Sequence, residues 1–244
     1  MSAVWPPGYG RIEFEELDST NEEARRRAKD GACLPLWIRA DRQSRGRGRR
    51  GRSWSSGSGN LAATLLMRPE CSIAQCAQLS FVTAISATHA VRRFADGVEV
   101  KWPNDVLVRS RKIAGILLET AGTVVPEYLA IGVGINLATH PAESLFPATS
   151  LAALGVAVPS AREMLSELAV CFARWYEVWR TDGFEPIRVE WMGQAARLGE
   201  PIHARLSESE VYGVFEGIDE NGALLLRQEQ HIVTIAAADV YFGS

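Results

Sequence analysis

Alternation of apolar and polar positions divides this chain into many short extended segments and a few helical ones. Residues 11–17 (RIEFEEL) predict a short strand. The following DSTNEEARRRAKDG predicts a helix that Ser19 or Thr20 can cap. Both S-x-x-E and T-x-x-E are available, and Gly31 offers the C-terminal stop. LPLWIRAD and NLAATLLMR read as strands on either side of a loop from Arg42 to about Gly59. From Ile73 to about Ala95, apolar residues recur at helical spacing and predict one long helix.

Between Val98 and Leu137 the segments VEVKW, DVLV, KIAGILLET and EYLAIGVGINL follow one another too closely for crossover helices, so this part of the sheet is expected to be antiparallel. Residues 139–150 read as a loop. A long amphipathic helix is expected over 161–181 and a shorter one over 185–197. Beyond Arg197 the texture changes to PIHARL, VYGVFEGI, ALLLRQ and HIVTIAAADVYF, with DENG (219–222) as a hairpin turn. The expected organisation is an α+β domain over 1–197 followed by a small β-barrel over 198–244.

Composition narrows the functional classes. An apolar fraction of 47% over 244 residues is enough to bury a core, and the net charge of −3 speaks against a chain that coats nucleic acid throughout. Cys33, Cys71, Cys76 and Cys171 have no C-x-x-C spacing, so free thiols are expected rather than zinc or a disulfide framework. No segment reads as a secretory signal or a membrane span, which leads to the expectation of a cytoplasmic protein without membrane contact.

Charge is unevenly placed. DRQSRGRGRRGRSWSSGSGN interleaves six arginines (42, 45, 47, 49, 50 and 52) with Gly46, Gly48 and Gly51. Glycines let backbone N–H groups approach a phosphate, and guanidinium groups chelate its oxygens. Physics alone leaves three readings open: an anion-binding loop, a solvated basic loop, or an RGG-like nucleic-acid contact with Trp54 as its one aromatic. With no evident local counter-ions, the loop is expected to be mobile until an anion organises it.

KWPND (101–105) ends a predicted strand in a turn that aims Lys101, Asn104 and Asp105 off the sheet. In RKIAGILLE (111–119), Lys112 precedes a strand in which Gly115 leaves room for a ligand or another backbone. GVGIN (132–136) ends a buried strand and does not open a helix, unlike a dinucleotide fingerprint. Each has an ordinary alternative: a turn, a strand-entry lysine, a bulge. Together they gather polar groups at strand ends near one basic glycine loop.

In this order, STN (19–21), GRGRRGRSW (46–54), KWPND, KIAGILLE (112–119) and GVGIN resemble the biotin protein ligase family over essentially the whole chain, VYGVFEGIDENGALLL (211–226) included. Lipoate ligases share the fold but lack GRGRRGR and the Trp–Pro pair. The resemblance implies a catalytic domain like that of class II aminoacyl-tRNA synthetases, with a mixed, largely antiparallel sheet, and an SH3-like C-terminal barrel. It further implies ATP-dependent formation of biotinyl-5′-AMP with Mg²⁺, then transfer to a lysine of a biotin carboxyl carrier protein. STN is reached by residue 19, so the DNA-binding domain of bifunctional members, and binding to nucleic acid, are not expected; a homodimer built by edge-to-edge sheet extension is.

By motif match, Lys112 bridges the biotin carboxylate and the α-phosphate, Arg49 acts with it, and Asp105 assists the incoming lysine. Ser19, Thr20, Asn21, Gln43, Gly46, Arg47, Gly48, Arg49, Lys112, Gly115 and Gly132 are expected around biotin. Arg47, Arg49, Arg50, Trp54, Lys101, Asn104, Lys112 and Asn136 are expected around ATP or the adenylate, with no resident metal. Two rival classes remain at this stage: a nucleic-acid-binding module, which accounts only for the basic loop, and a non-catalytic biotin or nucleotide sensor, which has no need of Lys112.

Overall fold

The computed structural model describes residues 3–55, 57–143, 146–206 and 209–242. Seven strands form a mixed sheet in the order β1-β2-β3-β7-β6-β5-β4. They are β1 (Gly10–Leu17), β2 (Leu36–Gln43), β3 (Leu61–Met67), β4 (Val98–Lys101), β5 (Asp105–Val108), β6 (Arg111–Ala121) and β7 (Tyr128–Ile135). Only β1 and β2 run parallel, joined across α1 (Thr20–Lys29), and every other neighbour is antiparallel. The close spacing of segments after Val98 therefore becomes a meander, as hairpin-length connections require.

Period-2 alternation sends neighbouring residues to opposite faces of the central strands. Trp37 and Leu65 join the main core, whereas Leu36, Ile38 and Leu66 pack with Ala24 of α1 on the other side. The main core is closed by α3 (Leu79–Arg92), α4 (Ala161–Asp182) and α5 (Phe184–Met192). The single helix expected over 73–95 is broken into α2 (Ile73–Cys76), which Ser72 caps through a reciprocal box with Gln75, and α3; between them the backbone tightens to i→i+3 hydrogen bonds, Ala77 N to Ala74 O and Gln78 N to Gln75 O. Neither expected capping box forms at α1. Ser19 is its N-cap residue without a side-chain cap bond, and Glu22 and Glu23 instead pair with Arg25, Arg26 and Arg27. The helix expected over 185–197 ends at Met192.

A second, five-stranded antiparallel sheet has the order β11-β10-β9-β8-β12. It comprises β8 (Pro201–Arg205), β9 (Glu210–Ile218), β10 (Leu224–Gln228), β11 (His231–Ile235) and β12 (Asp239–Phe242). The stretch 231–242 is thus two strands rather than one, and DENG is the β9–β10 turn, with Gly222 at φ 86°. Phe215 meets Trp191 edge-on, Trp191 meets Phe81, and the Trp102 indole N–H donates to the Gly222 carbonyl at 2.9 Å. These contacts seat the small sheet beside KWPND.

Candidate active site

Where β6 and β7, with Ala63 of β3, meet the arginine–glycine loop, a cavity of about 600 Å³ opens. Every one of the expected biotin and nucleotide residues lines it except Gly46 and Arg50. Gly46 instead shapes the neck of the loop: its carbonyl accepts from Trp54 N at 2.9 Å, and a Cβ there would overlap the Trp54 backbone oxygen. Arg50 sits at the loop tip with φ 55° and, outside the lining itself, pairs with the lining residue Asp239.

The glycines of the other motifs have steric explanations. A Cβ on Gly134 would overlap the Trp54 indole, and one on Gly115 would lie 3.1 Å from that ring and 3.2 Å from Lys112 Cε. A Cβ on Gly132 would overlap the Asn21 amide. Bare backbone on β6 and β7 thus provides a floor on which Trp54 lies, with Lys112 Nζ 5.7 Å from its ring centroid. The indole N–H of Trp54 and Oδ1 of Asn136 are both buried without a hydrogen-bond partner among the described residues. A buried polar atom left unpaired costs about 1–3 kcal/mol, a penalty that a ligand meeting it would remove.

One wall is a polar chain. Gln43 Oε1 accepts from Thr20 N at 2.8 Å and from Thr20 Oγ1 at 3.1 Å. Thr64 Oγ1 donates to Asn21 Oδ1 at 2.6 Å and stands 2.8 Å from Thr20 Oγ1. Asn21 Nδ2 then donates to Glu119 at 2.7 Å. The Asn21 amide is therefore engaged at both ends, and Ser19, Thr20 and Gln43 line the cavity beside it.

The opposite wall is cationic. Lys112 Nζ lies 2.5 Å from Asp105 Oδ1. Arg49 donates to Asn104 Oδ1 at 3.3 Å, and burial pushes its pKa down from the ordinary guanidinium value. Lys101, only 6% exposed, has the Phe146 ring 3.7 Å and the Phe242 ring 5.0 Å from its Nζ. Burial, opposed by the nearby Asp105 carboxylate, brings its pKa down to about 8.

The expectation that the loop lacks counter-ions is overturned. Arg42 pairs with Glu16, Arg47 with Glu119 and Glu22 at 3.1 and 3.3 Å, and Arg50 and Arg52 with Asp239 at 3.2 and 2.9 Å. The loop backbone also makes hydrogen bonds within itself, through a bridge between Arg47 and Ser53 and Gly48 N donating to Arg52 O at 2.8 Å. The carboxylates come from β1, α1, β6 and β12, and sequence proximity gives no hint of them. Glu119, Thr64, Asp239, Arg52 and Phe146 were not singled out from the sequence. Of these, Arg52 carried a signal as the last arginine of the loop, and Glu119 one as the last residue of KIAGILLE.

Comparison with known proteins gives a consistent set of relatives. Residues 17–136 match the biotin/lipoate A/B protein ligase family, and residues 198–243 match the biotin protein ligase C-terminal domain. The chain is 44% identical over 236 residues to the biotin–[acetyl-CoA-carboxylase] ligase of Paracoccus denitrificans, covering 93% of this chain and 98% of that protein. It is 33% identical to the bifunctional ligase/repressor BirA of Bacillus subtilis, covering 97% of this chain and 75% of that one. Among solved structures, the biotin protein ligase from Aquifex aeolicus in complex with biotin and ATP superposes with a TM-score of 0.83 at 27% identity, covering 96% and 99% of the two chains.

Proposed function

The chain belongs to the biotin protein ligase family, and from that premise we propose that it activates biotin with ATP and transfers it to a lysine of a biotin carboxyl carrier protein. The observation that carries this reading is the placement of Lys112 in the cavity, beside the Trp54 floor and paired with Asp105, in a lining that also includes Arg47 and Arg49.

In the first step, a carboxylate oxygen of biotin attacks the α-phosphorus of ATP, the bond to the bridging oxygen breaks, and diphosphate leaves. Negative charge concentrates around phosphorus, so catalysis needs cations held in place beforehand. Lys112, Arg47, Arg49 and Lys101 supply them. Ser19, Thr20 and Gln43 offer polar groups for the ureido ring, and Asn104 and Asn136 for the adenine. In the second step, the acceptor amine attacks the acyl carbon of biotinyl-AMP and AMP leaves. A free lysine, with a pKa near 10.4, is a neutral amine only about once in a few thousand molecules at neutral pH, so a proton must be removed. Asp105 is the carboxylate at hand.

Among the described residues no group of three or more His, Cys, Asp or Glu side chains converges. Asp105 and Asp239, both in the cavity wall, are held by cations. This donor set suits Mg²⁺ carried in on the triphosphate, where the ion would screen phosphate charge.

A cytoplasmic location is part of the same proposal; among the described residues no helix is long and apolar enough to cross a membrane. A homodimer made edge to edge would use β1 or β4, the two ends of the large sheet. The backbone of β4 is partly engaged already, through Val100 and Ala195.

Biotin-dependent exchange of labelled pyrophosphate into ATP tests the proposal. Wild type should exchange with biotin and not with lipoate, and Lys112→Ala should abolish it. Exchange with lipoate would reassign the substrate, and a folded protein that exchanges with neither acid would be a sensor.

A further inference from the structure

Glu119 lies on β6, at the rim of the cavity, and one of its oxygens serves two donors. Oε2 accepts from Asn21 Nδ2 at 2.7 Å and from Arg47 Nη2 at 3.1 Å. Asn21 is 5% exposed, its Oδ1 is fixed by Thr64, and the bare backbone of Gly132 lies beneath its amide. The Glu119 carboxylate is thus anchored from the buried side by a side chain with no freedom left. Arg47's second partner, Glu22, is shared with Arg25 on the surface of α1.

We propose that Glu119 is a positioning residue that holds the Arg47 guanidinium over the cavity and so ties the arginine–glycine loop to the wall of the biotin pocket. The inference rests on the ligase reading for its consequence. A guanidinium has five N–H donors in a planar fork, so Arg47 keeps the two of Nη2 on Glu119 and Glu22 while those of Nη1 and Nε remain for the acyl-phosphate. The tie spans from residue 47 to residue 119, and it leaves Glu119 itself off the reacting atoms. Its effect is to keep biotinyl-AMP from escaping before the acceptor arrives.

Two substitutions separate the parts of the tie. In Glu119→Gln the amide oxygen still accepts from Asn21, but the charge that holds Arg47 is gone. Glu119→Ala removes both contacts. With enzyme preloaded with labelled biotinyl-AMP, the Gln variant should release it up to about fivefold faster, the range of a partly exposed ion pair. Release from wild type should quicken with added salt, and that dependence should flatten in the Gln variant. Its KM for biotin should stay at the wild-type value, whereas the Ala variant should raise it as Asn21 loosens. Release and salt dependence equal to wild type in Glu119→Gln would overturn the proposal, as would a uniform fall of every parameter in both variants. Hydrogen exchange of the amides of residues 47–53 in protein without ligand reads the tie independently of any chemistry. Faster exchange in Glu119→Gln supports the positioning role even if wild type forms no adenylate, a result that would sink only the ligase reading. Unchanged exchange overturns the tie itself.

Discussion

Lys112 Nζ and Asp105 Oδ1 stand 2.5 Å apart, with both side chains largely withdrawn from solvent. The register of β5 on β6 produces this pair: Asp105 is opposite Gly115, and a shift between Val106 and Leu107 brings Lys112 back over it. The ammonium that would bridge carboxylate and phosphate is therefore held by the carboxylate that would receive the acceptor's proton. A clean division, with Asp105 serving transfer alone, does not follow from such a pair. Asp105→Asn is expected to slow adenylation about tenfold through a misplaced Lys112, and to slow transfer further. Single-turnover rates for the two half-reactions, the second started from prepared biotinyl-AMP, check this. Untouched adenylation would show that Lys112 is positioned without Asp105.

Lys101 gives a pH dependence with a definite sign. Enclosed by Phe146 and Phe242, it loses its proton near pH 8 rather than at the ordinary lysine value of 10.5. Below pH 8 it is a cation available to phosphate, and above it a neutral amine. The kcat/KM for ATP, which reports the free enzyme, should fall as pH rises through about 8. Lys101→Arg, charged throughout, should flatten that limb; an identical fall in this variant would assign it to another group. Stability should move the opposite way. Between pH 8 and 10.5 the unfolded chain binds the proton that the folded one has lost, so unfolding becomes harder as pH rises across that window.

The sequence made the cavity's positive and empty components legible because both are written in rare residue types at fixed spacing. Arginine clusters, KWPND and paired glycines announce charge and close approach, and the structure brings every residue expected around biotin or the nucleotide, except Gly46 and Arg50, to the cavity wall. What it could not show was the matching negative charge. Glu119 lies within β6 among ordinary residues, and Asp239 sits on β12, 187 positions from Arg52. Their meaning arises from topology, which alone decides what a solvent-facing carboxylate meets. The broken helix at Ala77 was hidden for a related reason: apolar periodicity continues through the break, which is only a local tightening to i→i+3 hydrogen bonds at Ala77 and Gln78.

Asp239 carries a prediction of its own. It is mostly buried, and it receives Arg50 and Arg52 from the loop while standing on the small sheet. Asp239→Asn should release the loop tip and loosen β12, raising KM for ATP by about tenfold, which corresponds to about 1.4 kcal/mol. Hydrogen exchange should increase in both segments together. An effect confined to β12 would mean that the loop is held elsewhere.

Gly134 tests the floor. Its φ is not in the left-handed region, so alanine is compatible with the backbone, yet the added methyl would overlap the Trp54 indole. The strand cannot yield, because β7 is paired on both sides by β3 and β6. Trp54 must therefore lift away. Gly134→Ala should raise KM for ATP about tenfold with little change in melting temperature, since β7 keeps its ladder and loses no buried group. Trp54→Ala should do the same, and the double variant should be no worse than Trp54→Ala alone, because residues that act through one contact are not additive. Full additivity in that cycle would show that the methyl acts on the ligand directly, and that Trp54 is not the surface on which the nucleotide rests.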